Sequence, residues 1–169
     1  MPITPFHLGP GALLKCAAPG RVSWTVFALS NALIDLEPIV LYFAMGDPAH
    51  PWLHTLPGAA AVAAAAAVLG RQPCEWFLRW WNARLSPAQA RWLAIEPVIK
   101  SGAAWTGALL GTTSHILLDA TMHGDVRPLW PLLQGNPLLG LVGLDRLHWA
   151  CAGAGLLGLA MLAIRKWKG

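Results

Sequence analysis

Charge is scarce in this chain. Only 12% of its 169 residues are Asp, Glu, Lys or Arg, roughly half the share that a soluble globular domain carries. The shortfall argues against a water-exposed globule. Cysteine is scarce too: Cys16, Cys74 and Cys151 are far apart, odd in number and form no CxxC pair. That excludes a disulfide framework and a thiolate metal site, and leaves them as apolar filler. No glycine-rich phosphate loop is present, which removes nucleotide-driven chemistry. There is no internal repeat, and no low-complexity segment beyond the alanine run near residue 60. No basic residue precedes the first apolar segment, so it does not read as a signal peptide.

What is present is apolar. Hydrophobic residues make up 56% of the chain and the mean hydropathy is +0.50. Length favours one domain over residues 1–169. A membrane helix needs about 20 apolar residues. Segments 22–43, 55–70, 98–120 and 147–164 supply four candidate spans, the second short but very apolar. A weaker segment, 5–18, reads as a shorter helix paired with the 22–43 span, with residues 18–21 as the turn. The expected fold is therefore all-α: an integral membrane bundle of about five helices. Between the second and third spans, residues 71–97 are rich in Trp and Arg, which suits an amphipathic stretch at the membrane interface.

The net charge of +4 raises the question of nucleic acid, but the placement of the charges points elsewhere. Lys15, Arg21, Arg71, Arg79, Arg84, Arg91, Lys100, Arg165, Lys166 and Lys168 fall at one set of helix ends, and only Arg127 and Arg146 at the other. The positive-inside rule puts the crowded side, with both termini, in the cytoplasm. All six histidines lie away from that side. So do the acids other than Glu75 and Glu96.

Depth gives the next clue. At about 1.5 Å per helical residue, His7 and Asp35 each lie about 21 Å from Arg21. His54 is about 25 Å from Arg71, His115 about 22 Å from Lys100 and His148 about 25 Å from Arg165. The polar residues of five segments thus converge on one layer, inside a hydrocarbon core of roughly 30 Å and displaced toward the non-cytoplasmic face. Ionisable groups at such a depth are costly and usually functional. Imidazole mixed with carboxylate suits zinc, with manganese or iron as alternatives. His115, Asp119 and His123 share a helix face by i,i+4 spacing, and His50 and His54 repeat it. Asp35 and Glu37 would face apart on a regular helix, but Pro38 distorts it and can let both reach one site. The bland alternatives are interfacial residues for His123 and His148, a loop position for His50, and solvated loop acids for Asp47 and Asp125. For Asp35, His54, His115 and Asp119 the alternative is a buried hydrogen-bonded network.

The motifs "TPFH" (4–7), "LIDLE" (33–37), "HPWLHT" (50–55) and "HILLD" (115–119) assemble into a pattern. It resembles the predicted inner-membrane, metal-dependent hydrolases, whose motifs run roughly T-H-A, L-P-D-L-D, H-R-G-x-T-H-S and H-L-L-L-D. It also looks like a reduced zinc-dependent phospholipase C or S1/P1 nuclease site. The resemblance implies a bacterial inner-membrane location. It also implies that His7, Asp35, His54, His115 and Asp119 ligate one or two metal ions, with Asp119 a possible bridge. This chain departs from the pattern at Glu37, Leu53 and Pro51, where the family has Asp, Thr and Arg.

The expected function is a membrane metallohydrolase in which a metal-activated water attacks a lipid ester. Asp35, Glu37 and Asp119 are the candidate catalytic carboxylates, with Asp35 or Glu37 a general base where it is not a ligand. Glu37 also belongs to the candidate ligand set, and His50, His123 and His148 are possible additional ligands. Arg127 and Arg146 are candidate substrate-binding cations. A phosphodiester is the first expectation for the substrate, and a lipid amide or carboxyl ester the second. A divalent-metal or proton transporter is the rival from another class, and predicts ionisable groups strung through the membrane depth. A haem protein would leave the two aspartates unexplained. Ser114 adjoins His115, but adjacent helical residues do not face each other, so a serine nucleophile is weakly supported. Oligomeric state is not legible.

Overall fold

The computed structural model describes residues 5–46 and 49–168, and Asp47 lies outside them. The described residues are all-helical. A 3-10 turn, Pro5–His7, leads into α1 (Leu8–Ala17), α2 (Trp24–Ile34), α3 (Leu36–Met45) and α4 (Leu56–Val68). Then come α5 (Arg71–Asn82), α6 (Pro87–Leu93), α7 (Ser101–Met122) and α8 (Leu144–Lys168).

Local signals start and stop these helices. Ser23 caps α2 by accepting the Val26 amide, and Thr55 caps α4 by accepting that of Gly58. At α6, Ser86 and Gln89 form a reciprocal capping box. These side chains satisfy amides that a helix start leaves unpaired. Gly46, at φ +75°, ends α3 in the left-handed conformation that glycine adopts without a Cβ penalty.

Two helices are both long and apolar enough to cross a membrane: the near-continuous α2–α3 unit, Trp24–Met45, and the α8 stretch Leu144–Trp167. This corrects the expectation of four. Helix α4 is apolar but only 13 residues long, which spans about 20 Å. It is confined by the Thr55 cap at one end and Gly70 at the other. Helix α7 has the length, 22 residues, but Gly, Ser, Thr, His and Asp dilute its apolarity.

Helix α7 is the axis of the fold and packs against both α2 and α4. Its buried residues include Ala104, Ala108, Gly111, Thr112, His115 and Asp119, a stripe at helical spacing. One core joins Val26, Ala63, Ala66 and Ala67 to Ala104 and Ala108. A second, nearer the His/Asp residues, joins Ile34, Ala59, Val62 and Ile116. Small residues let the helices approach closely. Helix α1 packs chiefly against α8 and less against α2, which corrects the expected α1–α2 pairing.

The Trp/Arg-rich stretch forms α5 and α6. Cys74 and Leu78, four apart, face inward, while Trp76, Phe77 and Trp80 are exposed. Asn82 brackets the Ile95 backbone through both its amide atoms, and Glu75 accepts the Ile99 amide. These bonds return the chain to the start of α7.

Candidate metal centre

Five of the sequence-expected ligands come together. Asp35 sits at the one-residue break between α2 and α3. Pro38 lies in the first turn of α3 and cannot donate a ladder hydrogen bond. The break turns the Asp35 carboxylate toward α7. His115 and Asp119, one turn apart, project from the buried stripe of α7. His54 precedes the Thr55 cap of α4, and His7 ends the 3-10 turn before α1. All five are buried.

Asp119 is the hub. Its Oδ1 faces His7 Nε2 at 3.1 Å, and its Oδ2 lies 3.2 Å from both His54 Nε2 and His115 Nε2. Asp35 Oδ1 lies 3.1 Å from His115 Nε2 and 3.9 Å from His54 Nε2. The His7 and His115 rings stack at 4.2 Å. Asp35, His54, His115 and Asp119 form one group whose donor atoms all lie within 4.8 Å of one another.

The geometry is one that could hold a metal ion. His54 Nε2 and His115 Nε2 are fully buried and close to carboxylate oxygens, yet neither makes a hydrogen bond. A buried polar atom left so is costly. Donors about 2.0–2.1 Å from a tetrahedral zinc stand roughly 3.3–3.4 Å apart, and the contacts around Asp119 and Asp35 bracket that spacing. Two imidazoles and two carboxylates can hold a divalent cation.

Asn31, which sequence reasoning missed, fixes one of these donors. Its Nδ2 donates to the Phe27 carbonyl at 2.8 Å, so its Oδ1 is turned to His115 Nδ1 at 3.0 Å. An amide oxygen only accepts, so His115 carries its proton on Nδ1 and its lone pair on Nε2, toward Asp35 and Asp119. The hint in the sequence was one polar residue one turn before Asp35. Asn31→Leu removes that acceptor, and outer-shell losses of this kind cost about 10–100-fold in metal affinity. Chelator competition on the purified variant should show a weakening in that range. Unchanged affinity in Asn31→Leu would remove the tautomer argument.

Glu37 corrects an expectation. It is not among the grouped donors: its Oε2 accepts the amides of Trp52 and Leu53 at 3.0 and 2.7 Å. With the Thr55 hydroxyl donating to the Trp52 carbonyl, it holds the turn that presents His54. The two acids do not share a site because the Asp35 break redirects only the first.

The other candidates separate. His50 is buried, and its main-chain amide and its ring Nδ1 lie 2.8 and 2.9 Å from Asp125 Oδ2. Burial works against the Asp125 charge, but these bonds outweigh it and hold the carboxyl below its ordinary range. His123 ends α7 rather than continuing its helical face, and its ring lies 4.7 Å from that of His50. His148 packs at 4.6 Å against Phe6 and lines the cavity without joining either group of donors. Arg127 and Arg146, the expected substrate-binding cations, are exposed and are not among the residues that line that cavity.

The cavity measures about 470 Å³, within the usual range for small-molecule sites. Asp35, Asp119, His50 and His123 are among its polar lining residues. Ile39, Leu139, Val142 and Leu144 supply apolar wall. The 124–143 loop is tied over the end of α7 by Asn136, whose Nδ2 donates to the Ala120 and His123 carbonyls.

No family model, curated protein or solved structure matches this chain.

Proposed function

We propose that the protein is a membrane-embedded, metal-dependent hydrolase that cleaves a lipid ester, a phosphodiester ahead of a carboxyl ester or amide. The single observation that carries this reading is the cavity that joins the His/Asp group to an apolar wall. Its lining offers both candidate cation ligands and apolar surface for hydrocarbon, the combination an amphiphilic ester requires. Its walls come from α3, the end of α7, the 124–143 loop and the start of α8.

The outward faces support a lipid setting. Val40 and Phe43 on α3 are 60% and 83% exposed, and Leu156 on α8 is 70% exposed. Continuous apolar faces of this kind call for a membrane or a partner. Every buried His and Asp among the described residues belongs to this one neighbourhood. The cytoplasm-directed half of α7 buries Ala and Gly instead. That favours a hydrolase over a transporter, whose pathway needs ionisable groups through the whole depth.

A divalent cation held by the group supplies Lewis acidity toward water and toward the ester. The chain's own contributions are distinct. Asp119 and Asp35 provide negative charge, Asn31 sets the His115 tautomer, Glu37 fixes the His54 turn, and the apolar wall excludes bulk water. The resemblance noted in the sequence supports the same assignment, and with it an inner-membrane location. The ten-to-two split of Lys and Arg supports cytoplasmic termini.

The test is to load detergent-purified protein with zinc or manganese, add native lipid extract and follow products by mass spectrometry, with a chelated sample as control. Metal-dependent release of a headgroup or acyl product is expected. Cleavage of only a water-soluble phosphodiester would refute the lipid substrate. No cleavage with zinc, manganese or iron would favour a metal-binding or transport role. In intact cells expressing Arg84→Cys, an externally added impermeant maleimide should leave the new cysteine unlabelled until the cells are lysed, and labelling from outside would reverse the orientation.

A further inference from the structure

We infer that His50, His123 and Asp125 form a second divalent-cation site beside the buried group. The inference rests on the metal-centre reading above but not on any hydrolytic activity. One donor atom from each residue lies within 4.8 Å of the other two. His123 and Asp125 lie two residues apart where α7 ends, and the fold brings His50 to them from the loop before α4, 75 residues from Asp125.

Several features favour a cation there. His50 stands between the two groups, its ring 4.6 Å from that of His54 and 4.7 Å from that of His123. Both hydrogen bonds from His50 fall on Asp125 Oδ2. Two imidazoles and one carboxylate make three protein ligands, the number that leaves a position open for water or substrate. The setting also differs from that of the first group. The Asp125 side chain is 48% exposed, whereas that of Asp119 is 5% exposed. The second site therefore sits on the solvent side, with His50 and His123 lining the same cavity as Asp35 and Asp119. Two cations placed this way would act on one bound ligand from adjacent positions.

The alternative is that Asp125 serves only to orient His50. Metal stoichiometry separates the two. Full-length protein in detergent is dialysed against zinc chloride, washed and assayed for zinc per chain by elemental analysis. Two equivalents are expected for wild type, and one for the His123→Gln/Asp125→Asn double variant. The double variant's helicity by circular dichroism and its elution volume should match wild type, since Asp125 is exposed and His123 lies at a helix end. His123→Gln alone serves if the double variant does not fold. One equivalent in both proteins would overturn the second site and leave the first intact. Two equivalents in both would also overturn it, and none in either would overturn both sites.

Discussion

Asp119→Ala should leave the purified protein with almost no bound metal and lower any metal-dependent hydrolysis by about 1,000-fold or more, the rate equivalent of roughly 4 kcal/mol of transition-state stabilisation. The size follows from the position of the residue. Both carboxylate oxygens are committed, Oδ1 to His7 and Oδ2 to His54 and His115. Removing them leaves three imidazoles facing a hole with one remaining acid, Asp35. Asp119→Asn tests charge against shape, because the amide preserves the volume but places a donor where an acceptor is needed. It should lose metal nearly as completely. Glu37→Gln is the contrasting variant. Its residue anchors the 52–53 backbone and does not belong to the donor group, so metal should be retained with weakened affinity. Elemental analysis of the three proteins decides the matter: full metal content in both Asp119 variants would refute the assignment of the centre.

Gly111→Leu should destabilise the protein by about 3 kcal/mol or more, the upper range for overpacking, and should also strip the metal. A Cβ at Gly111 collides with the Ser30 hydroxyl and lies 2.8 Å from the Phe27 carbonyl and 3.1 Å from Asn31 Nδ2. That carbonyl is the acceptor that orients the Asn31 amide. A larger side chain therefore pushes α7 away from α2 where Asn31 reaches His115, one turn further along. Gly102→Leu is the control, since a Cβ there meets nothing within 4 Å. Thermal unfolding in detergent, followed by circular dichroism, should show a clear fall in midpoint for Gly111→Leu and little change for Gly102→Leu. Equal midpoints would mean that close α2–α7 packing does not hold the centre.

Much of this was written in local sequence. The helices follow from apolar runs and from caps such as Ser23, Thr55 and Ser86, which act within four residues of themselves. The His115–Asp119 pair follows from the helical repeat, which places residues four apart on one face whatever surrounds them. The convergence of His7, Asp35 and His54 on that pair was legible because burying ionisable groups in an apolar chain is too costly to be incidental. Other features depended on how helices rotate and how loops travel, which no local rule sets. The chain break at Asp35 sent that carboxylate inward and left Glu37 to the 52–53 amides, although the two are adjacent but one in sequence. Asn31 became the partner of His115 only because Gly111 lets two helices approach closely. Asp125, read in isolation as a solvated acid, met His50 across 75 residues. Helix α1 found α8 rather than its chain neighbour α2, since contact between helices is decided by shape and burial across the whole bundle, and sequence proximity supplies only the tether.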